Sequence, residues 1–153
     1  MTYISGKAAR QYVVEGASMS TATIIKFDDR PNFDRGDGVS TALLVGKANA
    51  EGTLFTSGYT TFPAGRAAPM HHHNCCEQVL IIEGDAEVEC GGQKTLLKPM
   101  DTSYIPAEVP HRFNNVGDGP LTIFWIYGAT HVTRTFTETG KTVDHLSPGD
   151  KVT

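Results

Sequence analysis

An all-β domain is what this sequence predicts, and three observations predict it. The 16 glycines and 8 prolines punctuate the chain at short intervals. Val, Ile, Thr, Phe and Tyr fill the spaces between them, and no stretch of ten or more residues carries a convincing helical period. The 153 residues suit one domain with a real core and are too few for two.

The strands expected in chain order are Tyr12–Val14, Ala22–Phe27, Val39–Val45, Thr53–Phe62, Glu77–Ile82, Asp85–Glu89, Gln93–Leu97, Asp101–Ile105, His111–Asn114, Leu121–Tyr127 and His131–Phe136. DDRPNFDRGDG, at Asp28–Gly38, reads as a surface loop, because its acids depart from the EF-hand spacing and no helices flank it. Ala48 to Glu51 suits a brief turn. The Glu83-Gly84-Asp85 and Gly91-Gly92 steps supply left-handed conformations, so three successive strands are expected to run antiparallel there. Pro99, Pro106 and Pro110 bracket the next strand, and NVGDGP at Asn115–Pro120 reads as another turn. The polar, turn-rich tail from Thr137 to Thr153 is expected to lie across a neighbouring subunit or to fray.

Hydrophobic residues make up 39% and charged residues 20% of the chain, and the formal net charge is −4. That balance offers no attraction for nucleic acid or anionic membranes. The N-terminus has no basic segment followed by an apolar run, so neither a signal peptide nor a membrane anchor is read, which favours the cytoplasm. Three cysteines, Cys75, Cys76 and Cys90, lack zinc-finger spacing. They are expected to act as small hydrophobes, with a redox-sensitive or substrate-facing thiol as the sharper option for Cys75 and Cys76.

The chemistry concentrates in GRAAPMHHHNCCEQVLIIEG, from Gly65 to Gly84. On an extended segment His71 and His73 face one side and His72 the other, while Glu77 stands where the next strand begins. IPAEVPHRFNN offers His111 within reach of the same interior. Three imidazoles and a carboxylate suit one first-row divalent transition metal (Fe, Mn, Ni, Co, Cu or Zn) better than Mg or Ca.

These segments resemble the two motifs of the cupin superfamily. Gly65, His71, His73, Glu77 and Gly84 fit every spacing of the first. Pro106, His111 and Asn115 fit the second, but Met100 and Glu108 stand where it has glycine. The resemblance covers about Val39 to Tyr127. It implies a double-stranded β-helix, the jelly-roll barrel, with its ligands inside. The whole chain, 1–153, is then a single domain with its core at about 39–127, N-terminal strands, a C-terminal strand and a polar tail.

Other positions follow from alternation. Phe55, Ser57, Tyr59 and Thr61 share one face, and if it lines the cavity Tyr59 is the candidate acid or orienting group. Of the two nearby arginines, Arg112 should point outward, which leaves Arg66 as the candidate for a substrate carboxylate. Gln78 is a candidate to support a ligand through a second hydrogen bond. On the last core strand, Phe124 and Ile126 oppose Ile123, Trp125 and Tyr127, and one of these sets walls the cavity.

An open coordination position would make the metal catalytic. Oxygenase chemistry on a small metal-chelating metabolite is slightly favoured. The alternatives are metal-dependent isomerisation, elimination or decarboxylation of a small keto acid or sugar, and non-catalytic binding of a small molecule. Uncovered apolar strands near both ends suggest a homodimer.

Overall fold

The computed structural model describes residues 3–5, 10–12 and 22–152. Its strands are β1 (Tyr3–Ser5), β2 (Arg10–Tyr12), β3 (Ala22–Ile24), β4 (Asn32–Gly36), β5 (Val39–Val45), β6 (Thr56–Phe62), β7 (His71–His73), β8 (Glu77–Glu83), β9 (Ala86–Cys90), β10 (Gln93–Leu97), β11 (Thr102–Ile105), β12 (His111–Asn115), β13 (Leu121–Tyr127), β14 (Thr133–Phe136) and β15 (Thr142–Asp144). One short 3-10 turn covers Phe27–Asp29. Of the expected strand Tyr12–Val14, the last two residues lie outside the described residues.

Two six-stranded sheets form the barrel, in the orders β10-β9-β12-β7-β14-β15 and β11-β8-β13-β6-β5-β4, while β1, β2 and β3 make a small separate sheet. Every pairing is antiparallel, as the short strands and tight turns require. The alternation of β13 is resolved: Leu121, Ile123, Trp125 and Tyr127 are buried and the intervening residues are only partly so. With Val39, Val79 and Ile81 they fill the space between the sheets. Gly58 faces Trp125 there, and a Cβ on it would lie 2.3 Å from the Ala42 carbonyl oxygen and 2.5 Å from Trp125 Cζ2. Only glycine leaves room for the indole.

Three expectations need correction. The hairpin expected at Glu83-Gly84-Asp85 is a crossing between sheets: β8 pairs with β11 and β13, whereas β9 pairs with β10 and β12. Gly84 takes its left-handed conformation to pass close to the Pro120 carbonyl oxygen instead of reversing the strand. Asp28–Gly38 is not a surface loop. It holds β4, which returns through Gly36-Asp37-Gly38 to pair with β5 and buries Arg35. Finally, the tail neither frays nor reaches away, because β15 pairs with β14 and the Asp150 side chain is buried. The tail thus belongs to its own barrel.

The turns at Ala48–Glu51 and Asn115–Pro120 form as expected. In the second, the Asn115 amide donates to the carbonyls of Phe62 and Gly119 and its Oδ1 accepts from the Gly117 N–H. Among the described residues, no helix is long and apolar enough to cross a membrane.

Candidate metal centre

Three cross-strand pairs build the site. His111 stands opposite His71 between β12 and β7, Arg134 opposite His73 between β14 and β7, and Tyr127 opposite Glu77 between β13 and β8. Paired residues of an antiparallel sheet point to the same face. Here all six side chains turn into the barrel, and all six are buried. His72, one residue out of phase, turns outward and lies 2.9 Å from the Glu108 carboxylate.

Each histidine is oriented from behind. The Nδ1–H of His71 donates to the Pro69 carbonyl at 2.7 Å, that of His73 to Thr133 at 2.9 Å and that of His111 to Val109 at 2.9 Å. These bonds fix the tautomer in which Nε2 carries a lone pair. The lone pairs then converge: His71 Nε2 is 3.1 Å from His73 Nε2, and His111 Nε2 is 2.9 Å from Glu77 Oε2. Glu77 Oε2 also lies 3.8 Å from His73 Nε2. Acceptors facing one another in a buried space repel unless a cation stands among them.

The donor set therefore fits a divalent ion. The nitrogen atoms of His71, His73 and His111 lie within 4.8 Å of one another. This buried trio can coordinate a single divalent transition metal.

Electrostatics keeps His71, His73 and Glu77 in their metal-binding form. Burial pushes the His71 imidazolium well below its ordinary value, aided by the positive charge of Arg134. His73 is lowered to about 4, with burial the main cause and the Glu77 charge opposing it. Burial alone would raise Glu77, but its close contact with His111, together with His73 and the positive charge of Arg134, outweighs it, and the carboxyl is held below its ordinary value. Tyr127 is moved the other way, well above a normal phenol, by burial and by the Glu77 charge. Its hydroxyl keeps its proton and lies 3.2 Å from His73 Nε2.

The cavity beside this cluster has a volume of about 30 Å³, and its polar wall includes Arg35, Thr60, Tyr127, Arg134 and His145. Ile123, Trp125 and Tyr127 are the β13 set that lines it.

Several sequence-predicted residues stand elsewhere. Tyr59 does not line the cavity. Thr60 and Phe62 of the same strand do, because the inward face of β6 is the one that leaves Gly58 beneath Trp125. The Tyr59 ring instead lies 5.4 Å from the Arg30 guanidinium. Arg66 is half-exposed and pairs with Asp37 at 3.3 Å, away from the cavity. Arg112 points outward to Glu89, as alternation requires. Gln78 is exposed and bonds Thr102 instead of a ligand. Cys75 is buried in the core, and all three cysteines are free. Burial raises the Cys75 thiol to about 11, so it is not a thiolate.

Residues 58–127 match the model of the cupin domain family, a span that contains His71, His73, Glu77 and His111. These residues form a cupin domain. Among its relatives is the uncharacterized protein MJ1618 of Methanocaldococcus jannaschii, 36% identical over 62 residues, which are 40% of this chain and 50% of that protein. The cupin thus spans at most about half the length of that relative. Solved structures agree on the fold. KdgF from Halomonas sp. superposes with a TM-score of 0.56 at 20% identity, covering 67% of this cupin and 90% of that chain. Oxalate decarboxylase OxdC of Bacillus subtilis superposes with a TM-score of 0.62 at 21% identity, covering 69% of this cupin and 29% of that chain.

Sequence reasoning missed Arg134, Arg35, His145 and Asp150. Arg134 left one readable trace: in HVTRTF it alternates in phase with Val132, so a charge sits on the face that carries the apolar residue.

Proposed function

We propose that this cupin is a mononuclear metalloenzyme in which His71, His73, His111 and Glu77 hold one divalent first-row metal. It acts on a small metal-chelating metabolite by non-redox chemistry, as a lyase, decarboxylase or isomerase. The observation that carries the choice of chemistry is Tyr127, a buried phenol that keeps its proton 3.2 Å from a ligand nitrogen. Breaking or shifting bonds next to a carbonyl needs a positioned proton, and Tyr127 holds one at its hydroxyl oxygen. Glu77, committed to the metal, is not free to serve as the acid.

When bound, the ion would polarise a carbonyl or carboxylate oxygen of the substrate as a Lewis acid. Tyr127 would orient that oxygen and donate a hydrogen bond to it as negative charge builds there, and the apolar wall of Phe113, Ile123 and Trp125 would exclude water. The fold shared with a decarboxylase supports this reading over dioxygen chemistry.

The test is turnover of keto acids and sugars by the Mn(II)-, Ni(II)- or Zn(II)-loaded protein under strictly anaerobic conditions. Activity that persists without dioxygen and falls about 100-fold or more in Tyr127→Phe supports the reading. Activity that needs dioxygen stoichiometrically would return the oxygenase alternative. A homodimer is part of the same proposal. Exposed Ile82, Met100 and Tyr104 lie on or beside the β8–β11 pair, where β11 is the last strand of its sheet among the described residues. Light scattering on a size-exclusion column tests it.

A further inference from the structure

Two buried arginines of the cavity wall share a single ion-pair partner. Arg35 and Arg134 both reach Asp150 Oδ1, at 2.6 Å and 2.8 Å. One carboxylate therefore serves two buried guanidinium groups. Its other oxygen, Oδ2, accepts from the Leu146 N–H at 2.8 Å.

The two arginines are not equally satisfied. Arg35 donates Nε–H to the Asp150 carbonyl, Nη2 to its carboxylate and Nη1 to Thr41 Oγ1. Thr41 continues through Thr60 to the Trp125 indole N–H, so Arg35 closes a complete hydrogen-bonded chain. Arg134 donates Nη1 to Asp150, but its Nε is buried without a partner among the described residues. A buried guanidinium N–H left unpaired costs free energy that a ligand would recover. Arg134 lines the same cavity as His71, Glu77 and His111, and it stands across the strand pair from His73.

We propose that Arg134 is the anion-binding residue of this cavity and that the substrate is a compact carboxylate. One end is held by the Arg134 guanidinium, which shares the Asp150 carboxylate with Arg35. The inference rests on the metal-site reading for the position of the ligand's other end, and it deepens that reading by naming the substrate class. Bound metal adds positive charge beyond what Glu77 neutralises, which strengthens the demand for an anion. The cavity of about 30 Å³ selects for size. By that measure a single water needs about 10–15 Å³, so the space suits an ion and a ligand of few atoms.

The sole tryptophan, Trp125, lines the cavity and reports on it directly. The full chain, with and without one equivalent of Mn(II), is titrated with pyruvate and acetate and with the neutral analogues pyruvamide and acetamide, following Trp125 fluorescence. Saturable binding of the carboxylates, about tenfold or more tighter than their amides, is expected. Arg134→Gln should lose about tenfold or more of that affinity while retaining its Mn(II). This variant leaves Asp150 paired one to one with Arg35, so the tail keeps its anchor, and near-ultraviolet circular dichroism confirms the fold. Should it fail to fold, the carboxylate-to-amide ratio of the wild type decides alone.

Equal binding of acids and amides, no saturation with any of them, or unchanged carboxylate affinity in a folded Arg134→Gln protein would overturn the inference. Failure to load Mn(II) with Arg134-dependent carboxylate binding intact would sink the metal reading alone. Mn(II) loading with no carboxylate preference would sink only this one.

Discussion

Arg134 sits directly opposite His73 across the β7–β14 pair. A permanent cation beside an imidazole of the proposed metal site has an immediate electrostatic consequence, because it opposes protonation of its histidine neighbours. It contributes to the lowering of His71, His73 and His145 alike, after burial in each case or, for His73, after burial and the opposing Glu77 charge. The pair thus helps keep His71 and His73 neutral and places an anion-seeking group next to them.

That arrangement predicts how the metal-free protein responds to acid. His73 falls from an ordinary value near 6.5 to about 4 in the folded chain. The unfolded chain therefore binds the proton first as the pH drops, and stability present above pH 6.5 is lost as the pH falls towards 4. The loss from His73 alone amounts to about 3 kcal/mol over that window, with His71 and His145 adding in the same direction. Urea unfolding of chelator-treated protein at pH 7.5 and pH 5 measures it. Equal midpoints at the two values would contradict the burial of these groups.

Gly58 predicts a steric effect. A methyl group there meets the Ala42 carbonyl and the Trp125 ring at distances well inside contact. Gly58→Ala should destabilise the barrel by about 3 kcal/mol or more, because neither a central strand nor a packed indole yields cheaply. It should also shift the Trp125 emission. A near-neutral result by urea unfolding would mean that the indole has room to move.

Met100 and Glu108 predict the reverse. Both adopt left-handed backbone, with φ of 77° and 64°. Side chains in that region cost about 1–2 kcal/mol, offset in part by the entropy that glycine loses. Met100→Gly and Glu108→Gly should each leave the protein unchanged or up to about 1 kcal/mol more stable, read from denaturant midpoints. A clear loss in both would show that their side chains matter more than their backbone.

Those two positions also show what was legible in the sequence. The second cupin motif has glycine at both, and the backbone keeps the glycine conformation although the side chains have changed. The motif's turn was therefore readable even where its residues were absent. Period-two alternation placed His71, His73 and His111 inside and His72 and Arg112 outside, because a strand leaves a side chain only two directions. It failed on Tyr59 because alternation fixes which residues share a face without saying which face is inward. That choice was made by the fit of Gly58 under Trp125. Arg35 and Asp150 were illegible for another reason: they are 115 positions apart and meet only because the tail folds back over β4. No local pattern encodes such a contact.

The central claim is the metal centre, and metal content tests it most directly. Full-length protein prepared without a metal-chelating tag, reconstituted with Mn(II) or Zn(II), desalted and analysed by inductively coupled plasma mass spectrometry should carry about one equivalent of metal. The double variant His71→Ala, His73→Ala, folded by circular dichroism, should carry none. Wild-type protein that stays metal-free, or a double variant that binds as much as the wild type, would contradict the account.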